Sequence, residues 1–140
     1  MPSYNKFQSF VENVNEKVHN LGADSLKVML VNSPAPVNTN TVKANLTEIT
    51  PGNGYTAGGH AVPGVTSSQS SGTYKLVGGD VIITAAGGSI GPFQYAVLYN
   101  DTATNDELIA WWDNGTPITL GAGESVTIDF DPTNGIFQMT

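Results

Sequence analysis

Gly87-Gly88-Ser89-Ile90-Gly91 matches the G-x-S-x-G string of a nucleophile elbow, and it is the first place in this 140-residue chain to look for chemistry. An elbow works because a strand-to-helix turn lifts the serine out of the backbone, where a histidine can take its proton. Here Pro92 and a strand-like run follow the serine, and the chain's two histidines, His19 and His60, both precede it. The string therefore reads as a glycine-rich connection. Asp129–Gly135 (DFDPTNG) has the look of a calcium loop. A calcium loop, however, alternates oxygen donors and closes on a bidentate glutamate, whereas Thr133 and Thr140 stand at the fifth and twelfth positions here. A plain Asp-Pro/Asn-Gly turn accounts for it better. Gly52–Gly59 (GNGYTAGG) neither follows a strong strand nor opens a helix, and it lacks the lysine of a phosphate loop.

Titratable groups give no stronger lead. His19 and His60 are too few, and too far from acidic neighbours at ligand spacing, to specify zinc. Asp129 and Asp131 would share one strand face, as a pair of glycosidase carboxylates must, and Asp106-Glu107 are adjacent. All four read as solvated acids near turns. Asn45, Asn100 and Asn114 open N-x-T strings, which without a secretory signal are chance matches. No cofactor or metal is implied. Trp111 and Trp112 stand apart from this list. Adjacent residues on a strand point to opposite faces, so one ring is expected in the core and the other outside it. The outer ring would be covered by a helix, held in a protein interface, or left to grip a pyranose; the first two are preferred.

The elements that would carry these residues are of two kinds. In 1–22, Tyr4, Phe7, Phe10, Val11, Val14, Val18 and Leu21 recur at spacings of three and four, which predicts one amphipathic helix, capped by Ser3 and stopped at Gly22. From 23 to 140 the period changes to two. Ser25–Val31 is apolar enough for a central strand. Residues 32–72 are a long loop-rich segment, with short strands expected near Val42–Thr50 and His60–Val65. Gly78-Gly79 and Asn114-Gly115 are expected to close hairpins. In Pro92–Asn100, Phe93, Tyr95, Val97 and Tyr99 alternate with Gln94, Ala96 and Leu98. Val97, Val126, Ile128 and Phe130 are expected in the core. The fold class is therefore mostly β: a two-sheet, jelly-roll-like sandwich of short strands with one N-terminal helix packed on it or extending from it.

Composition narrows the function. Five lysines, no arginine and twelve acids leave a net charge of −7. Nucleic acids and anionic membrane surfaces both select for basic footprints, so neither is an expected partner. No run approaches a membrane span, and there is no cysteine. Met1 leads into Pro-Ser-Tyr-Asn rather than a basic and then apolar leader, so assembly in a cytoplasm is expected.

Several segments together, YNKFQSFVENVNEKVHNLG, SLKVMLVNSPAPVNTN, LTEITPGNGYTAGG, GPFQYAVLYNDTA and ITLGAGESVTIDF…NGIF, resemble the small cementing, or decoration, proteins of tailed-bacteriophage capsids. The resemblance runs nearly end to end and contains no catalytic signature. It implies a non-enzymatic jelly-roll module on the outer surface of the virion, bridging neighbouring major capsid subunits. Self-association is expected with it, as a dimer rather than a trimer. Tyr4, Phe7, Phe10, Trp111 and Trp112 are the expected interface residues. The alternative is a carbohydrate-binding module of a phage tail or fibre, and its distinguishing feature would be a tryptophan in a groove beside Asp113 or Asn114.

Overall fold

The computed structural model describes residues 4–140; the Ser3 cap lies outside them. Ten strands and one helix follow in the order β1 (Tyr4–Lys6), α1 (Ser9–Asn15), β2 (Leu26–Val31), β3 (His60–Ala61), β4 (Thr66–Ser70), β5 (Thr73–Val77), β6 (Val81–Thr84), β7 (Ile90–Asn100), β8 (Leu108–Leu120), β9 (Ser125–Ile128) and β10 (Phe137–Met139). All strand pairs are antiparallel. They form a five-stranded sheet in the order β1-β8-β7-β2-β3, a three-stranded sheet β10-β5-β4 and a two-stranded sheet β6-β9.

The main core lies where the large sheet meets the two smaller ones, an arrangement consistent with a β-sandwich. Leu26, Val28 and Leu30 of β2, and Leu98 of β7, meet Leu76 of β5 and Val81 and Ile83 of β6. The alternate residues of the large sheet build a second core on its other face, around Met29, Val31, Val97, Tyr99 and Leu108. A period of two sends neighbours to opposite faces, so a strand with apolar residues at both parities is covered twice. That is why Val28–Val31 reads as one unbroken apolar run.

The loop-rich segment 32–72 touches both cores, Leu46 on the second and Ile49, Tyr55 and Val62 on the main one, and is pinned to the large sheet. Tyr55 is the pin. Its hydroxyl accepts the Leu30 N–H at 2.9 Å and donates to Glu48 Oε1 at 2.6 Å. The same carboxylate accepts the Gly58 N–H at 2.7 Å, and the Tyr99 hydroxyl donates to the Gly58 carbonyl. Burial and the nearby Glu48 carboxylate both push the Tyr55 hydroxyl far above its ordinary pKa. It stays a protonated donor at every physiological pH. Leu46 packs on the face of the second core, and Lys43 Nζ sits 5.3 Å from the centre of the Tyr99 ring.

The N-terminal helix is much shorter than its periodicity suggests. Tyr4–Lys6 is a strand that pairs with β8, Tyr4 opposite Trp112 and Lys6 opposite Ala110. The helix occupies Ser9–Asn15 with Glu16 as its C-terminal cap, and beyond it Lys17, at a φ of 70°, sends the Val18 N–H back to the Asn13 carbonyl at 2.9 Å; Gly22 does not stop it. Asn13, Asn15 and Asn20 are poor helix formers, and two turns have little stability of their own. The tertiary contacts of the aromatics decide the path. Phe7 enters the second core and Phe10 the main one, so the chain passes around the edge of the large sheet between them.

Three other local expectations change. Gly78-Gly79 closes no hairpin: β5 and β6 lie in different sheets, and the glycines carry the chain from one to the other. Asn114-Gly115 lies within the continuous β8, as a bulge. Residues Phe93 to Tyr95 of β7 are matched by Asp113 to Ile118 of β8. The irregularity also turns Phe93 into the main core, whereas Tyr95, Val97 and Tyr99 face the second. Finally, Val42–Thr50 holds a 3-10 turn (Lys43–Asn45) in place of a strand, and the serine-rich Thr66–Ser70 is β4, joined to β5 through Ser71-Gly72, both at positive φ.

A buried polar cluster locks the region after the helix. The Asn100 side-chain amide donates to His19 Nδ1 (2.9 Å) and to Asp24 Oδ2 (2.6 Å), and Asn100 Oδ1 accepts the N–H groups of Thr102 and Ala103. Nδ1 must therefore be the acceptor, which leaves the proton on Nε2, an atom buried without a partner among the described residues. Burial lowers the His19 pKa, opposed by the carboxylates of Glu107 and Asp24. The unfolded chain thus binds the proton more readily, and stability falls as pH drops below the ordinary histidine value of about 6.5. Urea midpoints from pH 7.5 to 5 are expected to decline in the wild type, and to decline less in His19→Phe. Equal slopes for the two proteins would remove His19 as the cause.

Candidate functional site

A cleft of about 390 Å³ opens between the bulged part of β7–β8 and strand β9. The bulge sets its shape. Three more residues on β8 than on β7 between the flanking pairs push Asn114 outward at the mouth, while Trp112 and Ile118 still face the main core. Side-chain bonds fix the bulge: Asp113 Oδ1 accepts both the Gly115 N–H (2.7 Å) and the Gln94 amide (2.9 Å), and the Asn114 amide donates to the Thr116 carbonyl (3.0 Å). Gly115, at φ 89°, adopts the left-handed backbone that this turn requires.

The cleft floor is apolar, built from Leu30, Phe93, Ala96, Ile118, Val126 and Ile128. Trp112 and Phe130 form one wall, with ring centres 5.5 Å apart at 60°. Tyr4 packs edge-on against the other side of Trp112, 5.9 Å away at 67°, and burial pushes the Tyr4 hydroxyl up to about 12. Gln94, Asn114, Thr127 and Asp129 also line the cleft; along β9 the Thr127 and Asp129 side chains alternate with Val126, Ile128 and Phe130 and face away from the core, Thr127 lying across from the exposed Ile82. Asp129 has no side-chain hydrogen bond among the described residues, and none of the five lysines lines the cleft.

The chain matches no protein-family model, no curated protein and no solved structure.

The five aromatic interface candidates fall into two groups. Phe7 is fully buried and packs on Trp111 with ring centres 4.6 Å apart; Phe10 is 3% exposed, between Phe137 and His19. Both are interior residues of the folded chain. Tyr4, Trp111 and Trp112 are half-buried. The tryptophans do point to opposite faces, yet neither is wholly inside: Trp112 borders the main core and Trp111 the second. Of the expected core residues, Val97 and Phe130 are buried, while Val126 and Ile128 are half-buried along the cleft.

The other sequence motifs resolve into scaffold. Strand β7 begins immediately after Ser89, and Asn53 donates to the Ser89 carbonyl. No elbow geometry forms there. Asp131 accepts the backbone N–H groups of Thr133 and Asn134 and the Asn134 amide, which hold its carboxyl below the ordinary range. In Gly52–Gly59, the Glu48 carboxylate already occupies the Gly58 N–H. Asn45 caps the turn before it by accepting the Thr41 and Val42 N–H groups, and Asn100 is fully buried. Among the described residues no three His, Asp or Glu groups could hold a metal, and no helix is long and apolar enough to cross a membrane.

Sequence reasoning singled out Trp112 and Asn114 but missed Phe93, Gln94, Ile118 and Thr127 as their neighbours. Reading Asn114-Gly115 as a hairpin folded the two halves of β8 back to back. A bulge would have kept Trp112 and Ile118 on one face, opposite Phe93.

Proposed function

We propose that this chain is a non-enzymatic decoration module, a jelly-roll-like sandwich that binds the outer surface of a phage capsid and bridges neighbouring major capsid subunits. The observation that supports it best is a shallow, weakly charged surface at the β1 edge of the large sheet. Tyr4, Lys6, Pro36, Val37 and Trp111 line it, and Val37 is 50% exposed. Aromatic anchors bordered by exposed aliphatics are the usual centre of a protein interface. The resemblance of the sequence to cementing proteins names the partner. Weak contacts suffice on a repeating lattice, because once one subunit is engaged the next contact is effectively intramolecular. The same edge, meeting its copy across a two-fold axis, would give a dimer.

The test is co-sedimentation of the purified chain with assembled shells. The chain is expected to pellet with shells at micromolar concentration and to raise their melting temperature. The dependence on salt is expected to be weak, since the surface carries little charge to screen. Val37→Glu, a substitution at an exposed site, is expected to weaken binding at least about tenfold with an unchanged urea midpoint. Absence from the pellet, or complete release in moderate salt, would refute the proposal.

A further inference from the structure

We infer that the cleft between β7–β8 and β9 is a binding site for a small neutral apolar ligand, of the class of a medium-length alkyl chain, taken up between the large sheet and the two-stranded one. This goes beyond the capsid reading and does not depend on it.

Leu30 of β2, Ala96 of β7 and Trp112 of β8 are register partners, so they stand side by side in one cross-strand row. All three face the main core. Val126 and Ile128 of β9, and Phe130 just beyond it, face the same core from the other side. The row is low in the middle, because an alanine stands between a leucine and a tryptophan. The space above it is the cleft, about 390 Å³. Its effect shows in the exposures. Ala96, Trp112, Ile118, Val126 and Ile128 all point inward, yet each is only half-buried. Inward side chains of two packed sheets normally interdigitate and seal one another. Here they leave an apolar surface that an apolar ligand would remove from water. The walls are not free to close on the gap, because each belongs to a hydrogen-bonded ladder, β7 with β8 and β6 with β9.

The lining selects the ligand. Its polar side chains are committed or turned away. The Gln94 amide donates to Asp113 and the Asn114 amide to the Thr116 carbonyl, while Thr127 and Asp129 face away from the core. The buried polar atoms left without a partner among the described residues, Ser9 Oγ and His19 Nε2, do not line the cleft. A sugar, a phosphate or a peptide would leave its own hydrogen-bonding groups unmet there. None of the five lysines lines the cleft, so an anion finds no counter-charge. Asp113 is already taken by Gln94 and the Gly115 N–H, so a cation finds none either. What fits is neutral and apolar. The cleft is more than twice the roughly 150 Å³ of an engineered cavity that takes up benzene, which gives room for about ten carbon atoms.

The experiment is a fluorescence titration of the full chain with N-phenyl-1-naphthylamine, a neutral apolar probe whose emission rises out of water. Displacement by 1-decanol follows, with decanoate as its charged counterpart. Saturable uptake of a single probe per chain is expected, with decanoate displacing it at least about tenfold more weakly than 1-decanol. Ala96→Phe fills the low point of the row and should abolish uptake, with the parent urea midpoint kept or raised because the ring enters empty space. Val126→Phe fills the cleft from the opposite wall and should do the same. If the probe is not taken up at its solubility limit, if decanoate displaces it as well as 1-decanol does, if both variants bind it as the parent does, or if both unfold for want of room, the inference is wrong. Shell co-sedimentation by Ala96→Phe separates the two functions: it should be unaffected. Loss of shell binding in that variant, with no uptake of probe by the parent, would assign the cleft to a protein side chain and overturn the inference.

Discussion

Gly59→Ala is expected to cost on the order of 3–5 kcal/mol, a large share of the roughly 5–15 kcal/mol that hold a domain folded. Gly59 has a φ of +88°, and a Cβ there would lie 2.0 Å from the Val28 carbonyl oxygen, 2.7 Å from its carbon and 2.8 Å from Met29 Cα. All three atoms are backbone of β2, next to the middle of the large sheet, so no side chain can swing aside. The methyl could be accommodated only by parting β3 from β2. Gly58 would be carried along, with its bonds to Glu48 and Tyr99, and the cover of the second core would loosen. Gly64→Ala is the matched control. Its φ is +60° and nothing lies within 4 Å of the added Cβ, so only the left-handed backbone penalty of about 1–2 kcal/mol applies. Urea unfolding of both variants checks this. A loss at Gly59 no larger than at Gly64 would mean that the loop does not hug the sheet as described.

Phe7→Ala is expected to lose about 3–5 kcal/mol. Phe7 is fully buried and packs against the half-exposed Trp111, within the second core. Removing the ring leaves a cavity against Met29, Val31, Val97 and Leu108, side chains held by a central sheet that cannot collapse to fill it. If Phe7 served only to anchor a partner, the isolated chain would keep its urea midpoint and lose only binding. A loss below about 1 kcal/mol would support that and contradict the packing. The same reasoning limits a deletion of residues 1–22. It removes Phe7 and Phe10 from two cores, so any loss of partner binding in that deletion would partly report unfolding.

Much of the sheet structure is legible in the sequence. Strands Leu26–Val31 and Ile90–Asn100 lie where the runs Ser25–Val31 and Pro92–Asn100 place them, and Ser125–Phe130 alternates between half-buried or buried and exposed, as its period of two requires. The candidate site is legible only in part. Trp112 and Asn114 stand out by type, but the cleft that joins them to β9 depends on how far β8 runs. Asn-Gly and Gly-Gly report a tolerance for positive φ. That tolerance serves a hairpin, a bulge or a crossing between sheets equally well, and the partner strand chooses among them. Tyr4–Leu21 fails for a related reason. A spacing of three and four fits a helix face, but Phe7 and Phe10 gain more by entering different cores than by sharing one stripe.

By itself the sequence determined the mostly β class, the central strands and the scarcity of basic residues. These follow from local periodicity and from charge, neither of which needs a partner. Only the tertiary structure decided that residues 4–6 are an edge strand, that the loop-rich segment contributes to both faces of the large sheet, and that Trp112 and Phe130 border one cleft. Each of these rests on contacts between residues distant in the chain, whose apolar burial outweighs the small local preferences a sequence records.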